Sequence, residues 1–295
     1  MRTARGSVRV RGYWAIAAFG FVTMLTLAYM HFSSAIRDDL VPSMNQMSIP
    51  LADVPGLVGV PFAGLRVAVL GDLHADGTAA SLAELERIVR DVRAQNPDMV
   101  FLLGDYVADV RRASTQATVR QAIVDRLKPL TIVPTFAILG NYEAYSEPDK
   151  WAAELSAAGI EVVEHRVVRT SPQGLPVCLR GLGDTFTNRF RFVPFPAACG
   201  SAIRITLTHD PAGAFRPGVE GLIFAGHTHC GQIVLPLIGA PFVPTDAPVA
   251  ARCGLYRDGS RLLWVTSGLG TSVVPIRFGA PAQWDLITLT STRGP

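Results

Sequence analysis

Seven residues that can ligate a metal recur in short motifs: Asp72 and His74 in "GDLH", Asp105 in "GDY", Asn141 in "GNYE", His209 in "THD", and His227 with His229 in "GHTH". Carboxylate, imidazole and one amide oxygen make a donor set suited to borderline-hard dications such as Mn, Fe or Zn. A lone histidine is more often a surface or core residue than a ligand. Here four of the six histidines fall in these motifs, and that concentration points to a metal site. His31, at the edge of an apolar run, and His165, in a charged strand-like stretch, read as non-ligands. Tyr142, between Asn141 and Glu143, adds a phenol that can donate a hydrogen bond but carries no positive charge near neutral pH.

The motifs share a placement. "LRVAVL", "MVFLL", "TFAIL", "IRITL" and "LIFA" are apolar runs of strand length, and each is followed by one of the ligand motifs. Loops at the carboxyl ends of strands are where α/β folds build their sites. In the first half, helical patterns alternate with these runs. Leu82, Leu85, Val89 and Val92 recur at helical spacing, Ser81 and Glu84 have the spacing of a capping box, and Asn96-Pro97 stops the helix. A second helical stretch lies near 115–128, and "DKWAAELSAAG" reads as a third, ended by Gly159. After residue 160 the runs are short and strand-like with few helices between them. The whole predicts two sheets packed face to face.

The amino end has a different character. Trp14 to Met30 carries no charge, Tyr13 and Phe32 flank it, and Arg2, Arg5, Arg9 and Arg11 precede it with no acidic residue. This predicts a basic cytoplasmic region over 1–12, a signal anchor over 13–32, a connector over 33–62 and a folded domain over 63–295, outside the cytoplasm. Ser33-Ser34-Ala35 offers a small-residue cleavage site, but the length of the run favours an uncleaved anchor. Removing the four arginines from the net charge of +3 leaves −1, so the basic character belongs to the membrane end and does not imply a nucleic-acid partner.

No two of the four cysteines form a C-x-x-C pair, which argues against a zinc ribbon or a redox motif. Their even number in a chain leaving the cytoplasm permits disulfides. Cys230 and Cys253 flank a Pro-rich loop that must fold back near the site, and their bond would pin it. Cys178 and Cys199 pair across adjacent strands in the same reading.

The ordered set D-x-H, G-D, G-N-x-E, H and G-H-x-H resembles the calcineurin-like metallophosphoesterases, from about Leu65 to Thr290. "GHTHCGQIVLP" and "GLGTSVVPIRFGAP" are similar to the membrane-anchored branch, which includes bacterial phosphodiesterases and a UDP-2,3-diacylglucosamine hydrolase of lipid A synthesis. The resemblance implies a four-layer α/β/β/α sandwich and two divalent metal ions. Asp72, His74, Asp105 and His229 would hold one ion; Asp105, Asn141, His209 and His227 would hold the other, with Asp105 bridging. It implies in-line attack on phosphorus by a hydroxide held between the ions. Where the family pattern has histidine after the asparagine, this chain has Tyr142, a weaker clamp on the leaving oxygen. Asn141, Tyr142 and Asp105 are the expected catalytic residues, and Asn141 with Arg277 of "PIRFG" the expected phosphate contacts. Asp76, Asp109 and Asp184 are expected either to orient ligands or to serve their own turns.

The expected reaction is hydrolysis of a phosphodiester or pyrophosphate in an envelope or lipid-linked substrate. The sugar-nucleotide lipid hydrolase acts on a substrate made in the cytoplasm, which conflicts with the charge bias. A metal-stabilised binding module that has lost catalysis is the competing class.

Overall fold

The computed structural model describes residues 23, 24, 26, 30, 33–54, 64–108 and 113–291. Two six-stranded sheets form its frame. The first has the order β1 (Ser43–Pro50), β12 (Gln283–Thr290), β2 (Leu65–Leu70), β3 (Met99–Leu102), β4 (Thr135–Ala137), β5 (Glu161–Val162). The second has the order β10 (Gly254–Arg257), β11 (Arg261–Val265), β9 (Gly221–Ala225), β8 (Ile203–Leu207), β7 (Val177–Gly181), β6 (Val167–Thr170). Strands β2 to β5 are parallel, as are β7, β8, β9 and β11, so the carboxyl ends of both parallel sets carry the ligand motifs.

Val67, Val69, Phe101, Phe136 and Ile138 of the first sheet bury against Leu179, Ile205, Leu207, Leu222 and Phe224 of the second. These strands are covered on both faces, which is why their sequences run apolar without alternation. On the outer face of the first sheet, α1 (Ala79–Ala94) and α4 (Pro148–Ala157) supply Leu82, Leu85, Ile88, Val92, Trp151 and Leu155 to a second core. From α2 (Ala113–Leu127) come Ile123 and Val124, and its Arg120 bonds Glu147 and Glu154, fastening α4 beside it.

Four expectations need correction. The α1 cap is Thr78, whose side chain accepts from Ser81 N, while Glu84 pairs with Arg87 instead of closing a box. Part of the connector read over 33–62 is structural: Ser43–Pro50 forms the edge strand β1, parallel to β12. His165 lies in a turn at φ 59° between the two sheets, not in a strand. The fourth layer is not α-helical among the described residues. Outside the second sheet, Ile223, Ala225, Leu263 and Val265 are covered by loops and by 3-10 turns at Pro211–Phe215 and Val249–Ala251, which supply Ala214 and Ala251. Those crossovers carry Pro211, Gly213, Pro217 and Gly218, which interrupt helices.

Both disulfides form, Cys178–Cys199 and Cys230–Cys253. Cys199 sits in the turn before β8, not in a strand. Closing loops of this length contributes about 3 kcal/mol each in the chain-entropy account. The apolar run Trp14–Met30 and its arginines fall largely outside the described residues, as do His31 and Asp109. Among the described residues no helix is long and apolar enough to cross a membrane.

Candidate metal centre

The ligand loops are held by backbone ladders that continue past the strand ends. Asp72 N donates to Gly104 O, His74 N to Asp105 O and Ala75 N to Tyr106 O, while Gly226 N donates to His209 O. Within this frame Asp72, His74, Asp105, His227 and His229 take positive φ, at 52°, 43°, 53°, 69° and 49°. Such a conformation costs a non-glycine residue on the order of 1–3 kcal/mol and persists where the surroundings over-determine it. It turns each side chain off its strand and toward the others.

All seven expected ligands are buried. They converge in two adjoining groups, Asp72, His74 and His229, and Asp105, His209 and His227. In the second group His209 Nδ1 is spent on Leu103 O at 2.7 Å and His227 Nε2 on Pro244 O at 2.7 Å. Each ring therefore turns its other nitrogen inward, His209 Nε2 toward Asp105 and His227 Nδ1 toward Asn141. His209 Nε2, His227 Nδ1 and Asn141 Oδ1 stand 2.9–3.2 Å from one another. In the first group His74 Nε2 and His229 Nε2 are 3.1 Å apart, with Asp72 Oδ1 3.9 Å from the latter. Asp105 Oδ2 lies 3.4 Å from His209 Nε2 and 3.7 Å from His74 Nε2, between the two groups.

Ring nitrogens and carboxylate and amide oxygens packed this closely need positive charge among them. Burial opposes a charge on His209, but Asp105 and Asp72 raise it so that its proton supplies that charge without metal, and a divalent cation would supply it in the proton's place. Ligand bonds of about 2.0–2.2 Å place neighbouring donors about 3.0–3.4 Å apart, so this set fits two divalent ions. Burial, with His209 and Arg277 beyond it, lowers His74 to about 4, and burial also holds His227 and His229 below the ordinary range, in the neutral form that metal ligation requires. Burial and Asp105 raise Asp72 to about 7 against the pull of His209. Burial opposes ionisation of Asp105, but His209, His74 and His227 hold it down at about 2.

Sequence reasoning missed the support around these ligands. The buried Glu143 carboxylate accepts from Asp105 N, Tyr106 N and Gly140 N at 2.8, 2.8 and 2.9 Å and so locks two ligand loops together. Its place three residues after the glycine that begins the short helix α3 (Asn141–Tyr145) is the sequence sign of that clamp. Tyr142 N donates to Asp105 Oδ1 at 2.9 Å, leaving Oδ2 for the ligand groups. The Tyr142 ring meets His74 edge to face, and its hydroxyl is 3.1 Å from Ser272 Oγ.

Arg277 departs from its expected role as a phosphate contact. It is fully buried, and its guanidinium donates to Ser267 O, Gly268 O, Gly270 O and Ala280 O. One edge packs 3.0 Å from His229 Nδ1. It therefore supports the 267–270 loop, where Gly268 abuts Asp72 and Gly270 abuts His74. Asp184 serves its own turn, accepting from Phe186 N and Thr187 N, and the turn sets the Phe186 ring 4.8 Å from that of His227. Asp76 likewise accepts from Thr78 at the entry to α1. Cys230 is held by Cys253 and does not reach the ligands as a thiol.

The centre opens into a cavity of about 710 Å³, with Asp105, Asn141, His227 and His229 among its lining residues. Its other walls are mostly apolar or aromatic, including Tyr142, Tyr145, Phe186, Phe242, Val273 and Val274.

Comparison with known proteins accords with this geometry. Residues 65–231 match the family model described as calcineurin-like phosphoesterase. Phosphodiesterase YaeI of Escherichia coli is 30% identical over 215 residues, covering 71% of this chain and 76% of that protein. A transmembrane protein with metallophosphoesterase domain from Danio rerio is 27% identical, covering 84% of this chain but only 57% of its own length. Among solved structures, a dimetal phosphatase from Danio rerio aligns with TM-score 0.40 at 12% identity, covering 78% of this chain and 89% of that one. The family match spans more than half of the chain, and the chain belongs to the calcineurin-like phosphoesterases.

Proposed function

We propose that this phosphoester hydrolase is a dinuclear phosphodiesterase or pyrophosphatase of a bacterial inner membrane, working on a lipid-linked substrate on the extracytoplasmic side. The observation that carries the reading is the cavity: a polar floor of ligand residues beneath apolar walls. A phosphate can reach the floor while a bulky apolar group meets the walls. The relative named as a phosphodiesterase and the one named as a transmembrane protein support it.

When bound, two divalent ions, of Mn, Fe or Zn type by their donors, supply Lewis acidity toward the phosphate oxygens and activate water. The chain's own groups do the rest. Asp105 bridges the two ligand groups, and Tyr142 N–H fixes its carboxylate. Asn141 would hold an ion through its amide oxygen, which leaves its NH2 group as a donor for the phosphate. The apolar walls offer few polar groups around a bound phosphate and so strengthen electrostatic interactions there. Tyr142 faces the cavity where the leaving oxygen departs.

Turnover of bis(nitrophenyl) phosphate by the Mn-loaded full chain tests the reaction. Loaded protein that holds both ions yet turns nothing over would instead be the metal-stabilised binding module.

Tyr142 predicts a steep dependence on leaving-group basicity. Nitrophenyl esters should react fast and alkyl esters slowly, because a phenol bonded to Ser272 helps a basic oxygen little. Tyr142→His is expected to accelerate alkyl esters about tenfold and nitrophenyl esters much less. A loss on every substrate would show that the tyrosine is an adapted group.

Topology carries a separate prediction. Four arginines precede the apolar run with no acidic residue on that side. A reporter fused after Pro295 should work only outside the cytoplasm. Activity confined to the cytoplasm would reverse the orientation and favour the lipid A precursor.

A further inference from the structure

The loops that wall the cavity end in a rim of apolar side chains open to solvent. Leu237 is 108% exposed, Val273 97%, Phe242 74% and Ile238 73%. Other exposed apolar residues, such as Ile132 and Val249, lie outside these loops, and scattered single ones need no explanation. No charged residue occurs between His229 and Asp246, or between Arg261 and Arg277. Leu237 and Val273 hold positive φ, at 66° and 65°, positions that a water-facing turn usually gives to Gly or Asn. The two loops are fastened into one body. Phe278 N donates to Gln232 O and Val234 N to Phe278 O, while the Gln232 side chain donates to Val274 O and accepts from Ser272 N.

The chain enters the domain at the base of this same body. Asp39 accepts from Gly279 N through its carboxylate and from Ala282 N through its carbonyl, at 2.6 and 2.7 Å. Asp39 is only nine positions beyond Met30, where the apolar run ends, and residues 33–39 are helical. Nine residues reach about 14 Å as a helix and at most about 30 Å extended.

We propose that the Leu237, Ile238, Phe242 and Val273 rim is a membrane-contacting surface, which sets the mouth of the metal centre against the bilayer carrying the amino-terminal anchor. The occupant is the lipid surface itself. The short reach from the apolar run to Asp39 keeps the rim within its range, and two uncharged loops can enter it without burying a charge. The proposal deepens the lipid-linked reading above, since a substrate would pass from the bilayer to the ligands along the apolar walls.

Fluorescence of the full chain in nanodiscs containing brominated phosphatidylcholine tests the contact. The signal added by Leu237→Trp over the parent chain is expected to be mostly quenched. That added by Ile132→Trp, before β4 and so at the strand ends opposite the site, is expected to persist. An unquenched Leu237→Trp overturns the proposal, as does an antiparallel or other dimer that shields the rim and dissociates on Leu237→Glu.

A Leu237→Glu and Ile238→Glu double variant then separates the contact from the substrate. Neither residue lines the cavity, so turnover of soluble bis(nitrophenyl) phosphate should be unchanged. Hydrolysis of a long-chain phosphodiester in the same nanodiscs should fall at least about tenfold. Quenching of Leu237→Trp with no hydrolysis of any bilayer phosphodiester by the parent would uphold the membrane contact and remove the lipid-linked substrate.

Discussion

Asp105→Ala is expected to empty both halves of the metal centre and to lower kcat/KM by at least about 10³-fold, roughly 4 kcal/mol of transition-state stabilisation. Among the described residues Asp105 is the one carboxylate with an oxygen facing ligand histidines of both groups, at 3.4 Å from His209 and 3.7 Å from His74. Its loss removes a donor from each ion and the charge that balances them. It also frees Tyr142 N, so the turn carrying Asn141 loses a tie to its neighbour. Asp105→Asn keeps the shape and an acceptor but not the charge, and should fold like the parent while binding metal weakly. Metal content by mass spectrometry and turnover on an activated diester are the measurements. Two ions per chain and full activity in Asp105→Ala would refute the bridging assignment.

Gly140→Ala should be as damaging without replacing a ligand. A methyl group there would collide with the Asp105 side chain and backbone and lie 2.8 Å from His209 Cε1. The backbone has no room to retreat, because Gly140 N is bonded to Glu143 and Gly104 packs against its other side. Overpacking of this kind costs about 1–3 kcal/mol or more, and here the strain falls on two ligands, so metal affinity drops as well. A loss of about 3 kcal/mol corresponds to roughly 6–12 °C in Tm for a domain of this size. Gly259→Ala, in an open turn with nothing near the added carbon, is the matched control and should be neutral. Equal melting temperatures and equal metal content for the two variants would show that the glycine contact does not constrain the centre.

The ligands were legible before any coordinates because each lies within a few residues of a strand end. A strand of apolar residues followed by a short polar motif is local information, and the structure gathers all seven such residues at the same ends of two sheets. The helices of the first half were legible for the same reason, although a helix start depends on one hydrogen bond, and Thr78 made it where Ser81 and Glu84 had suggested a box. The Cys230–Cys253 pair followed from the loop it flanks, whereas Cys178–Cys199, expected across adjacent strands, joins β7 to the turn before β8.

What the chain did not show locally is what depends on distant partners. Ser43–Pro50 is a strand only because β12 offers it an edge, and its own pattern is polar and short of branched residues. Arg277 has the sequence of a phosphate contact, yet it is buried because four carbonyls from the turns on either side close around it. Glu143 reads as a motif residue and acts as a clamp on loops 36 positions apart in sequence, Gly104 and Gly140 being their glycines. The apolar rim is invisible as a rim in sequence, since "IVLPLIGAPFVP" and "TSVVPI" could each have been core. Sequence by itself determined which residues can ligate metal and which strand ends carry them, because side-chain chemistry and continuous apolar runs are properties of short stretches. Tertiary structure alone decided which side chains face one another, which charges are spent on backbone carbonyls and which apolar residues are left outside, because each of those depends on whether packing brings a partner within a few ångströms.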